Sequence, residues 1–144
     1  MDLKQASDVL RPVVVQIDDR DGNVIGSGFF VDDKAHVATA WHVVANLPSP
    51  TVALAQPNTE NMRANFTGVN AALLGKDEPH DLAILEMARN PFEGEMRSGI
   101  RIDEEEIDVL YGTATLDSTR PDDGESIAIS GYPLANPALV TTSG

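Results

Sequence analysis

Cysteine is absent from the 144 residues. That excludes disulfides and thiolate metal sites, although it does not fix the compartment. Basic residues are scarce: 10 Lys and Arg stand against 23 Asp and Glu, for a net charge of -13. Phosphate backbones are held by clustered cations, so nucleic acid is excluded as a partner. The surplus of carboxylates reads as a solvated face that favours solubility and could steer basic partners. Long apolar runs are missing too, so no segment is expected to cross a membrane. The start, Met1-Asp2-Leu3-Lys4-Gln5, lacks a basic stretch leading into an apolar core. A signal peptide is therefore not expected, which implies a cytoplasmic protein or an exported bacterial one whose leader has been trimmed.

What is present is a chain of one-domain length with a globular balance, 42% hydrophobic and 23% charged. Its apolar residues come in short runs. Val13 to Ile17 is a compact run typical of a buried strand. Asp18 to Asn23 is turn chemistry, with Asp and Asn side chains able to bond nearby backbone and a glycine free to take positive φ. Val24 to Val31 is a second strand carrying Gly26-Ser27-Gly28, and glycine inside a strand marks a bulge, a bend or a close backbone approach. Asp32-Asp33-Lys34 then turns the chain in a hairpin. Thr51 to Ala55 reads as another strand, Gln56 to Arg63 as a loop and Ala64 to Leu74 as an extended or bent strand. Gly75 to Pro79 is a turn, and His80 to Met87 starts polar and ends as a buried strand. Short strands separated by Gly, Pro and Asp predict an all-β sandwich or barrel.

The pattern divides the chain into four parts. Residues 1–11 form an arm or short helix, with Leu3, Ala6 and Leu10 on one side. Residues 12–90 form the main β-body. Residues 91–123 form a connector that contains the acidic run Asp103 to Glu106 and a local hairpin, and residues 124–144 add two further strands. The acidic run lacks the spacing of a calcium loop and reads as a solvated face.

One stretch carries chemistry. Val37-Ala38-Thr39-Ala40-Trp41-His42-Val43-Val44 reads as a strand that stops short, followed by a turn or a single helical turn before Pro48 and Pro50. A histidine held where a rigid strand ends is well placed to act as a general base near neutral pH. The other histidines, His36 and His80, could join it only in metal chemistry. The spacing of His36 to His42 is not a helical ligand spacing, no thiolate helps, and no cofactor is expected.

Three segments in order add a resemblance. They are Gly26-Ser27-Gly28-Phe29-Phe30-Val31 with Thr39-Ala40-Trp41-His42-Val43-Val44, then His80-Asp81-Leu82-Ala83-Ile84-Leu85, then Ile129-Ser130-Gly131-Tyr132-Pro133-Leu134. Over residues from about 12 to 144 the chain resembles the trypsin-like, chymotrypsin-fold serine peptidases, in particular the cysteine-free bacterial branch with the HtrA-type proteases. The resemblance is weakest over 88–123. It implies the first six-stranded β-barrel of a two-barrel fold, followed by the opening strands of the second. It implies that His42 is the general base and Asp81 the carboxylate that orients it, the pair lying 39 positions apart. Asp81, at a strand mouth, is expected to be buried enough for that task. Trp41 departs from the small or polar residue that often precedes this histidine, and is expected to pack.

The same resemblance exposes a gap. The family's nucleophile lies in a Gly-x-Ser-Gly-Gly type segment, and none occurs in these 144 residues. Ser143-Gly144 falls where the family has an early strand of the second barrel, and Ser27 belongs to a strand of the first. The expectation is an N-terminal portion of a serine endopeptidase acting on peptide or protein, inactive as it stands. The other reading is a catalytically dead barrel used to bind protein. In either case residues 125–142 would leave orphan strand edges that pair with another copy, with the chain's own barrel or with a C-terminal half.

Overall fold

A computed structural model describes residues 2–10, 12–54, 68–93, 100–102, 105–107, 111–125, 127–131 and 140–143. Helix α1 (Leu3–Leu10) is followed by strands β1 (Val14–Asp18), β2 (Val24–Phe30) and β3 (His36–Ala40), then the short helix α2 (Trp41–Val44). Strands β4 (Thr51–Leu54), β5 (Gly68–Asp77) and β6 (Leu82–Met87) complete the main body. Two small hairpins follow, β7 (Ile100–Ile102) with β8 (Glu105–Ile107), and β9 (Ala128–Gly131) with β10 (Val140–Ser143). No described helix is long and apolar enough to cross a membrane.

The six strands β1 to β6 close into an antiparallel barrel in the order β1-β2-β3-β6-β5-β4. Closure follows from the side-chain alternation. Val15 and Ile17 on β1, Phe30 on β2, Val37 on β3, Val52 and Leu54 on β4, Val69 on β5 and Ala83, Leu85 and Met87 on β6 are buried together in one core. With a period of two residues per strand, the inward positions carry aliphatic side chains and the ring of Phe30, and pairing all six strands removes every edge. Strand β1 is buried along its whole length, and β9 lies against it and against β2. Helix α1 lies against β9 and β10.

The glycines of β2 are there for close approach. A Cβ on Gly28 would stand 2.7 Å from the carbonyl oxygen of Ala38, and one on Gly26 would stand 2.7 Å from Cγ1 of Val43. Neither neighbour yields easily: the first is strand backbone and the second is a stiff β-branched side chain on α2. Gly28→Ala should therefore cost about 1–3 kcal/mol, the usual range for overpacking. A urea midpoint unchanged from wild type would contradict this reading.

The β5–β6 connection departs from the expected turn at Gly75 to Pro79. Strand β5 runs on through Gly75 to Asp77, with Lys76 opposite Ala83 and Asp77 opposite Leu82. Gly75 follows a register shift after Leu73, so it belongs to a bulge and not to a turn. The chain reverses over residues 78–81, where the Asp81 N–H donates to the Glu78 carbonyl at 3.0 Å. Asp81 takes a left-handed φ of 52° there, a conformation that Asp tolerates better than most residues. The polar stretch 56–63, positions 64–67 of the extended segment, Asp103-Glu104 of the acidic run and the turn beyond Gly131 lie outside the described residues.

Candidate active site

Strand register brings His42 and Asp81 together. Strands β3 and β6 are antiparallel neighbours, and their ladder ends at the pair Ala40–Leu82. His42 lies two residues beyond Ala40, and Asp81 one residue before Leu82, so both emerge at the same rim. The ladder has one more rung, the Trp41 N–H donating to the Asp81 carbonyl at 3.1 Å. The chain then turns into α2. Its N-cap position is Ala40, which has no side chain able to accept from the first turn.

Asp81 supplies that acceptor from across the rim. Its Oδ1 accepts the backbone N–H of His42 at 2.7 Å, and its Oδ2 lies 2.5 Å from His42 Nδ1. An ionised carboxylate only accepts, so Nδ1 carries a ring hydrogen toward Asp81 and Nε2 faces away from it. The ring bond and the backbone N–H of His42 hold the Asp81 carboxyl below its ordinary value of 3.8. One carboxylate thus fixes the helix start, the ring tautomer and the ring direction.

Burial differs from expectation. The side chains are exposed, 73% for His42 and 47% for Asp81. Asp81 sits on a turn past the end of its ladder, outside the barrel core. Facing water, such a pair contributes little to folding, since solvent screens it. Beside it runs a cleft of about 380 Å³ on the outer surface of the barrel. Ser27, Phe29, Ala38, Ala40, Leu82 and Asp81 form its walls, and Ser130 of β9 closes one side. Ser27 is a wall residue of β2 whose carbonyl accepts from the Thr39 hydroxyl at 2.8 Å.

The other two histidines also have carboxylates, in different arrangements. His36 lies at the far end of β3, a strand length of roughly 15–20 Å from His42. Its Nδ1 meets Asp32 Oδ2 at 2.5 Å, and its Nε2 meets Glu86 Oε2 at 3.1 Å. With a carboxylate on each nitrogen the doubly protonated ring is favoured, and while protonated it has no lone pair for a metal. His80 pairs with Asp77 at 2.8 Å across three residues of one turn, and its side chain is 80% exposed. Among the described residues no cluster of three or more such groups is placed to hold a metal ion. The sequence reading does not pair these histidines with Asp32, Glu86 and Asp77. The spacings Asp32 to His36 and Asp77 to His80 carry that signal; Glu86 needed the β3–β6 register.

The His36 cluster makes stability depend on pH. Its hydrogen bonds to Asp32 and then Glu86 raise His36 above its ordinary 6.5. For Asp32, partial burial pushes the carboxyl up, but the bonds from His36 and the Lys34 N–H outweigh it and leave it below 3.8. The imidazolium contribution is therefore complete below pH 6.5 and is lost as pH rises through the raised value. The carboxylate contribution is complete above pH 3.8 and is lost as pH falls through the lowered one. Melting temperature should peak between these limits and decline on the alkaline side. His36→Gln should flatten the alkaline decline, and an equal decline in both proteins would refute the assignment.

Residues 26–144 match the trypsin-like peptidase domain. No curated protein sequence matches significantly. Among solved structures, the MamO protease domain from Magnetospirillum magneticum is similar with a TM-score of 0.64 at 21% identity, over 94% of this chain and 60% of that one. A serine endoprotease from Yersinia pestis is similar with a TM-score of 0.65 at 23% identity, over 100% of this chain and 43% of that one. The Rv3671c protease, from Mycobacterium tuberculosis, gives a TM-score of 0.63 at 19% identity, over 96% and 53%. The chain thus spans about half the length of the structures it matches. At these identities the structures establish the fold, the closed six-stranded barrel of trypsin-like proteases. The domain match extends over most of the chain, and with it this protein belongs to the trypsin-like peptidase family.

Proposed function

We propose that these residues form the part of a serine endopeptidase that carries the general base His42 and its orienting carboxylate Asp81, and that the serine comes from chain beyond residue 144. The double hold of Asp81 on His42, at ring and backbone, supports this most strongly. In such a machine Nε2 takes the serine proton during attack and returns it to the leaving amine, while Asp81 stabilises the imidazolium between the two events. The cleft beside Asp81 is the seat for a peptide or protein substrate.

The exposure of the pair fits the same reading. A base and its carboxylate act most strongly when water is excluded around them. Covering this rim with a second barrel would supply that exclusion together with oxyanion donors, themselves worth about 10²–10³ in rate. Strand β9 presents exposed Ile129, with Ile127 beside it, an edge suited to further strands of such a barrel or to a second copy. Residues 1–144 alone are therefore inactive in this reading.

A longer polypeptide that includes the serine should cleave a fluorogenic peptide library, and His42→Ala should abolish cleavage. Undiminished cleavage by that variant would remove His42 from the chemistry. The alternative, a protease-like barrel that binds protein without cutting it, draws on the absence of a Gly-x-Ser-Gly-Gly segment from these residues. Specific binding by the longer wild-type protein without cleavage would favour it.

A further inference from the structure

We propose that Lys76 is a positioning residue for the His42–Asp81 pair, acting through the indole of Trp41; the proposal rests on the catalytic reading of that pair. The two side chains lie past the last pair of the β3–β6 ladder, that of His42 mostly exposed and that of Asp81 about half exposed. Beyond the packing of α2 on the core and the last ladder bonds, the rim depends on the contact between α2, which carries His42, and the β5–β6 connection, which carries Asp81.

Lys76 makes that contact. It is the second-to-last residue of β5, opposite Ala83 and next to the connection. Its Nζ lies 4.3 Å from the centre of the Trp41 ring, and also 3.4 Å from Glu78 Oε1 in the connection itself. The indole packs on the core, and the Trp41 N–H donates to the Asp81 carbonyl. A cation over an indole face is attracted by the ring quadrupole. One ammonium thus ties the first residue of α2 to the turn that presents Asp81, and resists the two drifting apart. A residue at 41 with no aromatic face could not be held this way.

Hydrogen exchange tests this in the 144-residue chain without need of catalysis. The amides of Trp41 and His42 both donate to Asp81, so their exchange reports local opening of the rim. In Lys76→Met these two amides should exchange about two- to fivefold faster, the factor that an exposed cation–π contact commands. Amides of the β3–β6 ladder such as Val37 should keep their rates. Ring nitrogen shifts of His42 should move toward a tautomer average, and Trp41, the single tryptophan, should change its emission. Lys76→Arg should restore all of these, since a guanidinium also sits over an indole.

Wild-type rates at Trp41 and His42 in Lys76→Met would overturn the proposal. So would a uniform acceleration of every amide, which would make Lys76 a general stabiliser. In a longer polypeptide with the serine, Lys76→Met should lower kcat about two- to fivefold and leave KM unchanged. Failure of the catalytic reading shows elsewhere, as cleavage that survives His42→Ala, and leaves the exchange result standing.

Discussion

Asp81→Asn, in a polypeptide that also carries the serine, should lower kcat by about 10⁴ while leaving the fold nearly intact. The Asp81 Oδ1 accepts the His42 N–H and its Oδ2 faces Nδ1 of the ring. An asparagine can keep the first bond through its carbonyl oxygen. Its NH₂ group must then face Nδ1, and it can only donate there. The ring answers by carrying its hydrogen on Nε2, the wrong nitrogen for accepting a serine proton. Asparagine also accepts the left-handed φ of 52° at this position as readily as aspartate. Folding is spared and the base is lost. Asp81→Ala separates the two roles further. It leaves the start of α2 without an acceptor, for a loss of about 1 kcal/mol, and it puts a residue that dislikes positive φ at the turn. The check is paired: kcat by peptide hydrolysis, and urea midpoints for both variants. Near-normal turnover in Asp81→Asn would take Asp81 out of the mechanism. A midpoint as low as that of Asp81→Ala would mean that the asparagine oxygen does not replace Oδ1 at the His42 amide.

Much of this site was legible in the chain because strand alternation and breakers are local. Val37 and Thr39 are buried, the strand stops at Ala40, and a single helical turn follows, as the small residues and the later prolines imply. The pairing of His42 with Asp81 came from motif order, and the β3–β6 register supplies its physical cause. What could not be read depends on contacts distant in sequence. The turn expected at Gly75 fails because a glycine in a strand serves a bulge as well as a turn, and only the partner strand decides which. The exposure of Asp81 depends on what packs over the rim, which its neighbours in sequence do not state. Glu86 joins His36 across 50 positions, through pairing alone. Lys76 reaches Trp41 for the same reason.

Phe30→Ala should be among the most damaging substitutions in the molecule, destabilising it by about 3–5 kcal/mol. Phe30 is fully buried at the end of β2. Its ring meets Phe92 edge-on at 4.9 Å and Tyr111 at 6.0 Å, and those two meet each other at 6.2 Å. Edge-to-face contacts add to the area each ring removes from water. The trio joins the barrel to the chain that leaves it, since Phe92 follows β6 and Tyr111 begins the described stretch after the β7–β8 hairpin. The Phe30 carbonyl accepts the Ala114 N–H at 2.8 Å, and the Gly112 N–H donates to the Pro12 carbonyl at 3.0 Å. Burial pushes the Tyr111 hydroxyl up to about 12, so it stays neutral through the whole working range. Removing the Phe30 ring therefore opens a cavity and also loosens the docking of residues 111–114. Phe30→Leu keeps most of the volume but none of the ring contacts, and should cost clearly less than the alanine variant. Urea denaturation gives the size of the loss, and protease nicking near residues 111–114 locates it. A leucine variant as unstable as the alanine one would place the stabilisation in ring geometry; equal stability of all three proteins would mean that the trio does not pack as described.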